Sequence, residues 1–193
     1  HENTSWDKAK FEVVGHKYAD LSDHDYGVAL MNDCKYGYFV KDNILDLNLL
    51  RSPNNPDPDA DQGKHQFTYS IFPHEHDLIR SNVIREATCL NQTPIVFNGV
   101  ISDNSIPVKL DGNGLELMVL KKGEKEDYLI IRIVETSGRH ATGSLKLNGT
   151  LTECDLMEWN DMGSQTNVEG SMPLSFSPFE IKTFKFVTKV TPF

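Results

Sequence analysis

The sequence predicts a mainly β chain: two consecutive β units of the sandwich or barrel kind, with one short helix between them. Three observations carry this. Short runs rich in Val, Leu, Ile, Phe and Tyr recur along the 193 residues, bounded by Gly, Asp, Asn and Ser, the composition of strands and their turns. A single segment, between Pro73 and Pro94, spaces its apolar residues as a helix does. Everything beyond Pro94 reads as strand and turn, so domains 1–92 and 93–193 are expected, divided beside that proline.

Ala9–Tyr18 and Asp25–Met31 have strand composition. Tyr36, Tyr38 and Val40 alternate with Gly37, Phe39 and Lys41, and Leu45, Leu47 and Leu49 alternate with Asp46 and Asn48. Asp42-Asn43 lies between the two runs, and both residues tolerate positive φ, so a tight hairpin is predicted. Ser52–Gly63 carries three prolines and predicts a long surface loop. A strand is expected over His65–Pro73, then a helix through Ile79, Val83, Ile84, Ala87 and Leu90. Leu115–Lys122 and Tyr128–Thr136 are apolar on both faces, as strands covered on both sides are. Asp111-Gly112-Asn113-Gly114 and Gly123 supply turns. In the last strand Phe179 and Ile181 share one parity while Phe184 and Phe186 share the other, which predicts a β-bulge near Lys182-Thr183.

A formal net charge of -9 excludes the clustered cations that polyphosphate binding needs, so no nucleic-acid partner is expected. No apolar run approaches the roughly 18 residues of a bilayer span, and no membrane partner is expected. Cys34, Cys89 and Cys154 are odd in number and far apart, reading as free thiols rather than a disulfide framework or zinc knuckle. The opening HENTSW has no basic and apolar leader, so a retained signal peptide is not expected, whereas a fragment or processed form is.

Candidate ligands and nucleophiles are few. Asp57, Asp59 and Asp61 have the alternating carboxylates that open a calcium loop, but glycine arrives late at Gly63 and Thr68 stands where a closing Glu belongs; a solvated loop is the plainer reading. His74 and His76 would share a strand face and could share a metal, yet two imidazoles are not a site, and an exposed strand-end turn is expected there. His16, His65 and His140 are isolated. There is no GxSxG elbow, HExxH helix or phosphate-cradling glycine loop. Sequons at Asn3, Asn91 and Asn148 occur at about the chance rate and do not establish secretion. Arg51 is more informative: if the strand through Leu45, Leu47 and Leu49 keeps its parity, Arg51 extends the apolar face. Its guanidinium then either pairs with an acid of the proline loop or projects from the strand end toward a neighbouring domain's polar cleft.

The stretches NTSWDKAKFEVVGHKYADLS from Asn3, YGVALMNDCKYGY from Tyr26 and LLRSPNNPDPDADQGKHQFTYSIFPH from Leu49 resemble the C-terminal β region of glycoside hydrolase family 38 α-mannosidases, in the cytosolic and vacuolar branch also found in bacteria. VLKKGEKEDYLIIRIVETSGR and FSPFEIKTFKF resemble the terminal β-sandwich of the same enzymes. The resemblance spans nearly the whole chain, with mild departures at Met31 and Tyr18. It implies that residues 1–92 are the end of a β-supersandwich and 93–193 a smaller terminal sandwich. It also implies a retaining hydrolase of terminal α-linked mannose with an aspartate nucleophile, a separate acid/base carboxylate and a zinc ion. No position here matches the motifs of those groups; zinc and catalysis would belong to a catalytic domain outside this chain, on which the chain packs. A strand-end Arg lies near the substrate cleft in relatives, and Arg51 is the matching candidate, with Asn32 and Asp33 as weaker ones.

The expected function is therefore the non-catalytic C-terminal portion of a zinc-dependent α-mannosidase, cytoplasmic, or vacuolar in a fungus, and a possible homo-oligomer. The alternative is a freestanding carbohydrate-binding sandwich using Trp6, Trp159, Tyr36 or Tyr38 as stacking platforms, although the alternation around Tyr36 favours burial in the core.

Overall fold

The computed structural model describes residues 12–92, 94–96, 98–99 and 108–189. Asn3, Trp6 and the start of the strand expected over Ala9–Tyr18 lie outside them. The chain divides into two compact units, His1–Asn98 and Gly99–Phe193.

The first unit contains β1 (Val13–Val14), β2 (Tyr18–Ser22), β3 (Tyr26–Asn32), β4 (Gly37–Lys41), β5 (Ile44–Asn48), β6 (Tyr69–Glu75) and the helix α1 (Val83–Asn91). Two three-stranded antiparallel sheets result, ordered β1-β4-β5 and β2-β3-β6. The hairpin is as predicted: Lys41 pairs with Ile44 across Asp42-Asn43, and Asp42 takes φ 53°. The first expected strand is instead broken at Lys17, which has φ 66°, and resumes as β2. The strand expected over His65–Pro73 runs later, over Tyr69–Glu75. It lies at a sheet edge, so Pro73 interrupts no ladder on its outer side.

The helix starts later than the spacing predicts. Asp77 accepts the Arg80 N–H on its carboxylate (3.0 Å) and the Ser81 N–H on its carbonyl (3.0 Å), holding 77–81 as a separate turn. Val83 and Ala87 are fully buried against Ala29 and Met31 of β3. On the same sheet face Asp20 Oδ1 lies 2.7 Å from His74 Nε2, each side chain 4% exposed, and Ser22 Oγ donates to Asp20 Oδ2 at 2.6 Å. The expectation of an exposed His74 is thus overturned: strand pairing sets it opposite Gly27, where an added Cβ would lie 2.4 Å from the imidazole. Only glycine leaves room for the ring.

The second unit contains β7 (Lys109–Asp111), β8 (Leu115–Lys122), β9 (Leu129–Glu135), β10 (Ala141–Cys154), β11 (Thr166–Phe176) and β12 (Ile181–Thr188). The order is β11-β10-β12-β9-β8, with β7 also on β10. β10 is the hub: β11 pairs along Ala141–Leu151, while its other edge takes β7 at Ser144–Lys146 and β12 from Gly149 to Cys154. The strands enclose a continuous core that includes Ile131, Ile133, Leu145, Leu151, Phe176, Phe184 and Phe186. Ile130 is equally buried on the opposite face of β9, so that strand is covered on both sides as expected, whereas β8, at the sheet edge, is not: Leu120, Lys121 and Lys122 are exposed.

The predicted bulge near Lys182-Thr183 is absent, since β12 pairs without interruption with both β9 and β10. Phe179 belongs to the turn before the strand, with φ 58°, its ring over Gly138, and Ile181 is simply exposed. The register shift falls in β8 between Leu117 and Val119, with Met118 as the extra residue.

β9 ends at a carboxylate that the sequence reading did not single out. Glu135 is fully buried and accepts N–H bonds from Ser137 (2.7 Å), Gly138 (2.9 Å) and Phe179 (2.9 Å), together with the Ser137 hydroxyl. Burial pushes its pKa up, but the Ser137 hydroxyl and the backbone donors outweigh this and lower it to about 2.

Candidate functional site

The sequence-predicted site residues all lie around the turn after β3 and the proline-rich loop. Asn32 is 1% exposed and its amide is committed. Nδ2 donates to the Tyr38 hydroxyl, and Oδ1 accepts the Cys34 N–H (3.0 Å) and the Lys35 N–H. Its backbone carbonyl takes Asn91 Nδ2 at 3.0 Å. Asn32 therefore shapes the 33–35 turn and presents no free polar atom to a ligand. The same bond engages the Asn91 sequon side chain.

Asp33 is exposed, and it clamps the end of the loop. Thr68 N–H donates to Asp33 Oδ1 (3.0 Å), and Asp33 N–H donates to the Thr68 carbonyl (3.2 Å). That backbone donor, with the Cys34 thiol, holds the Asp33 carboxyl below its ordinary value. Lys35 Nζ sits 4.9 Å from the Phe67 ring centroid, a second tie between turn and loop.

Arg51 is not on an apolar face. β5 ends at Asn48, Leu50 is exposed, and Ser52 turns through φ 44°. An acid of the proline loop does engage this corner, but through the backbone: Asp61 Oδ2 accepts the Ser52 N–H (2.9 Å) and the Arg51 N–H (3.3 Å). The Ser52 donor is the main cause of Asp61's lowered pKa, and Lys35 contributes at longer range. Among the described residues the Arg51 guanidinium has no hydrogen-bonding or ionic partner, so an exposed cation stands at the loop's root.

The remaining candidates resolve into structural roles. Asp57 Oδ1 caps the Asp59 N–H (2.9 Å), and Asp61 is spent on 51–52, so the acidic loop does not converge on a cation. No group of three His, Cys, Asp or Glu side chains among the described residues could hold a metal, and His74 is committed to Asp20; these residues do not fit a zinc ion. The described helix is too short and polar to cross a membrane. Tyr38 is 1% exposed, whereas Tyr36 is 51% exposed, which reverses the burial expected for Tyr36. Trp159, in the second unit, is 61% exposed with Lys125 Nζ 4.8 Å from its ring centroid.

Residues 1–59 match the model of the glycosyl hydrolases family 38 C-terminal domain, and residues 114–184 match that of the glycosyl hydrolases family 38 C-terminal beta sandwich domain. The chain belongs to the C-terminal region of glycosyl hydrolase family 38. Across 97% of its length it is 37% identical to Alpha-mannosidase G of Dictyostelium discoideum, and across 100% it is 36% identical to Alpha-mannosidase 2C1 of Homo sapiens. It spans only 18% and 19% of those proteins. An α-mannosidase from Enterococcus faecalis V583 shares the fold with a TM-score of 0.66 at 16% identity, covering 97% of this chain and 22% of that one. This family 38 region is mainly β, and its relatives are α-mannosidases in which the aligned part is a minor, C-terminal share.

Proposed function

We propose that this chain is the non-catalytic C-terminal portion of a zinc-dependent, retaining α-mannosidase acting on terminal α-linked mannose in the cytoplasm or a vacuole. The observation that carries this is coverage: relatives named α-mannosidases align over nearly the whole chain, while the chain accounts for less than a quarter of each. Nucleophile, acid/base group and zinc site belong to the remainder of the enzyme, and this portion packs on it. Within that assembly the 33–35 turn and the proline loop form one substrate-proximal surface. Arg51 supplies donors to sugar hydroxyls, Asp33 supplies an acceptor, and Asn32 positions the turn without touching substrate.

The exposed Arg51 side chain suits this role, because a cation without an internal partner is free to hydrogen-bond a ligand or an adjoining domain. Incubating the purified chain with an aryl α-mannoside and zinc is expected to give no turnover above the uncatalysed rate; enzyme-like turnover overturns the proposal. In the assembled enzyme Arg51→Ala is expected to raise KM or lower kcat at least several-fold while leaving this chain's unfolding midpoint unchanged. Unaltered kinetics would remove Arg51 from the site.

A further inference from the structure

We propose that the open end of the second unit's β-structure binds a neutral, hydroxyl-rich ring of hexopyranose size. A cavity of about 380 Å³ opens there, with Met172 and Phe184 on its apolar side and Glu153, Ser164, Thr166 and Lys182 among its polar lining. That volume lies within the range of small-molecule sites.

The register explains how the polar groups reach it. Phe184 and Phe186 point into the core, and Lys182 continues their parity one step beyond it. Glu153 stands directly opposite Phe184 and continues the inward parity of Leu151. A carboxylate and an ammonium thus occupy the two positions where core-facing rows run out at the mouth. Neither is spent. Among the described residues the Glu153 carboxylate has no partner, and Lys182 Nζ is only loosely held, 3.8 Å from Glu180 Oε1 and 5.3 Å from the Phe176 ring centroid. The two do not pair with each other.

The lining selects the ligand class. A purely apolar occupant would desolvate Glu153 without a partner. An anion would meet the Glu153 charge, and a cation the Lys182 charge. A neutral pyranose satisfies both, because each hydroxyl donates and accepts, and its C–H face rests on Met172 and Pro173 at the rim. The Ser164 and Thr166 hydroxyls complete a ring of donors and acceptors around an apolar floor, the usual division of labour in small-ligand pockets. This rests on the α-mannosidase reading only in the choice of mannose as the probe.

The test is an NMR titration of the full 193-residue chain with methyl α-D-mannopyranoside to about 20 mM, where a millimolar site is largely filled. The expected result is saturable shifts confined to amides around Glu153, Ser164, Thr166 and Lys182, weakened at least fivefold by Glu153→Gln and by Lys182→Met, with other resonances of each variant unmoved. No saturable shift, saturation centred elsewhere, or undiminished binding in both variants overturns the proposal. Such a failure leaves the α-mannosidase reading standing, because that reading is tested by turnover.

Discussion

The two units bury their apolar surface in different ways. In the second, a continuous cluster from every strand's neighbourhood fills the interior, with Ile131, Ile133, Leu145 and Phe186 almost fully buried. In the first, the cluster of buried residues among those described is Ala29, Met31, Val83 and Ala87, and apolar side chains such as Tyr69, Ile71, Val14 and Ile44 face solvent. What the first unit lacks in apolar packing it replaces with polar ties: Asn32 to Tyr38, Asp20 to His74, Asp33 to Thr68. Solvent exclusion therefore contributes more in the second unit, which also carries its own polar knot at Glu135, than in the first.

Three changes would break or sharpen that contrast. The largest effect is expected from Phe186→Ala, which removes a 1% exposed ring from the second core and should cost about 3–5 kcal/mol. Native-state hydrogen exchange should show the loss in β9, β10 and β12 while first-unit amides keep their protection; equal loss in both units would mean that they unfold as one. Next comes Glu135→Gln, expected to cost about 2–3 kcal/mol because the amide cannot accept all of the carboxylate's donors. The Glu135 pKa is held at about 2, below its ordinary 4.5, so the wild-type carboxylate stabilises the fold above 4.5. That contribution should fade as pH falls from 4.5 toward 2, and the variant should show a flatter acid limb in pH-dependent denaturation. The smallest of the three is Asn32→Ala, about 1–2 kcal/mol, from loss of the bonds to Cys34, Lys35 and Tyr38. Its exchange signature should stay within the 33–35 turn and the segment it clamps; a second-unit response would contradict the division of labour.

What could be read from sequence follows the same physical line. The 37–48 hairpin is legible because alternation and turn residues are local signals, and β8 because its apolar run is bounded by Gly114 and Gly123. β10 and β11 were legible only as β in kind, since their pairing depends on partners far along the chain. Parity misled twice. At Arg51 it runs three residues past a strand that ends at Asn48, and at Phe179 it meets a turn. The real bulge at Met118 sits in a run apolar on both faces, where a slip of one residue changes no pattern. The Asn32 amide has no signal in the sequence, because its bond to Tyr38 forms only once β3 and β4 come together. Glu135 did carry a usable signal, an acid closing an apolar strand before Thr136-Ser137-Gly138, whose turn aims backbone donors backward.

The place of β12 has a consequence for assembly. Ile181–Thr188 lies between β9 and β10, yet it follows both in sequence. Until it is synthesised, β7 alone bridges the two hairpins, at Ser144–Lys146, and both the β9 edge and the Gly149–Cys154 stretch of β10 stay bare, so the late-made β12 is the keystone. A nascent chain halted before Ile181 would hold two mutually reactive sheet margins, the form in which this polypeptide is most exposed to pairing with the wrong neighbour.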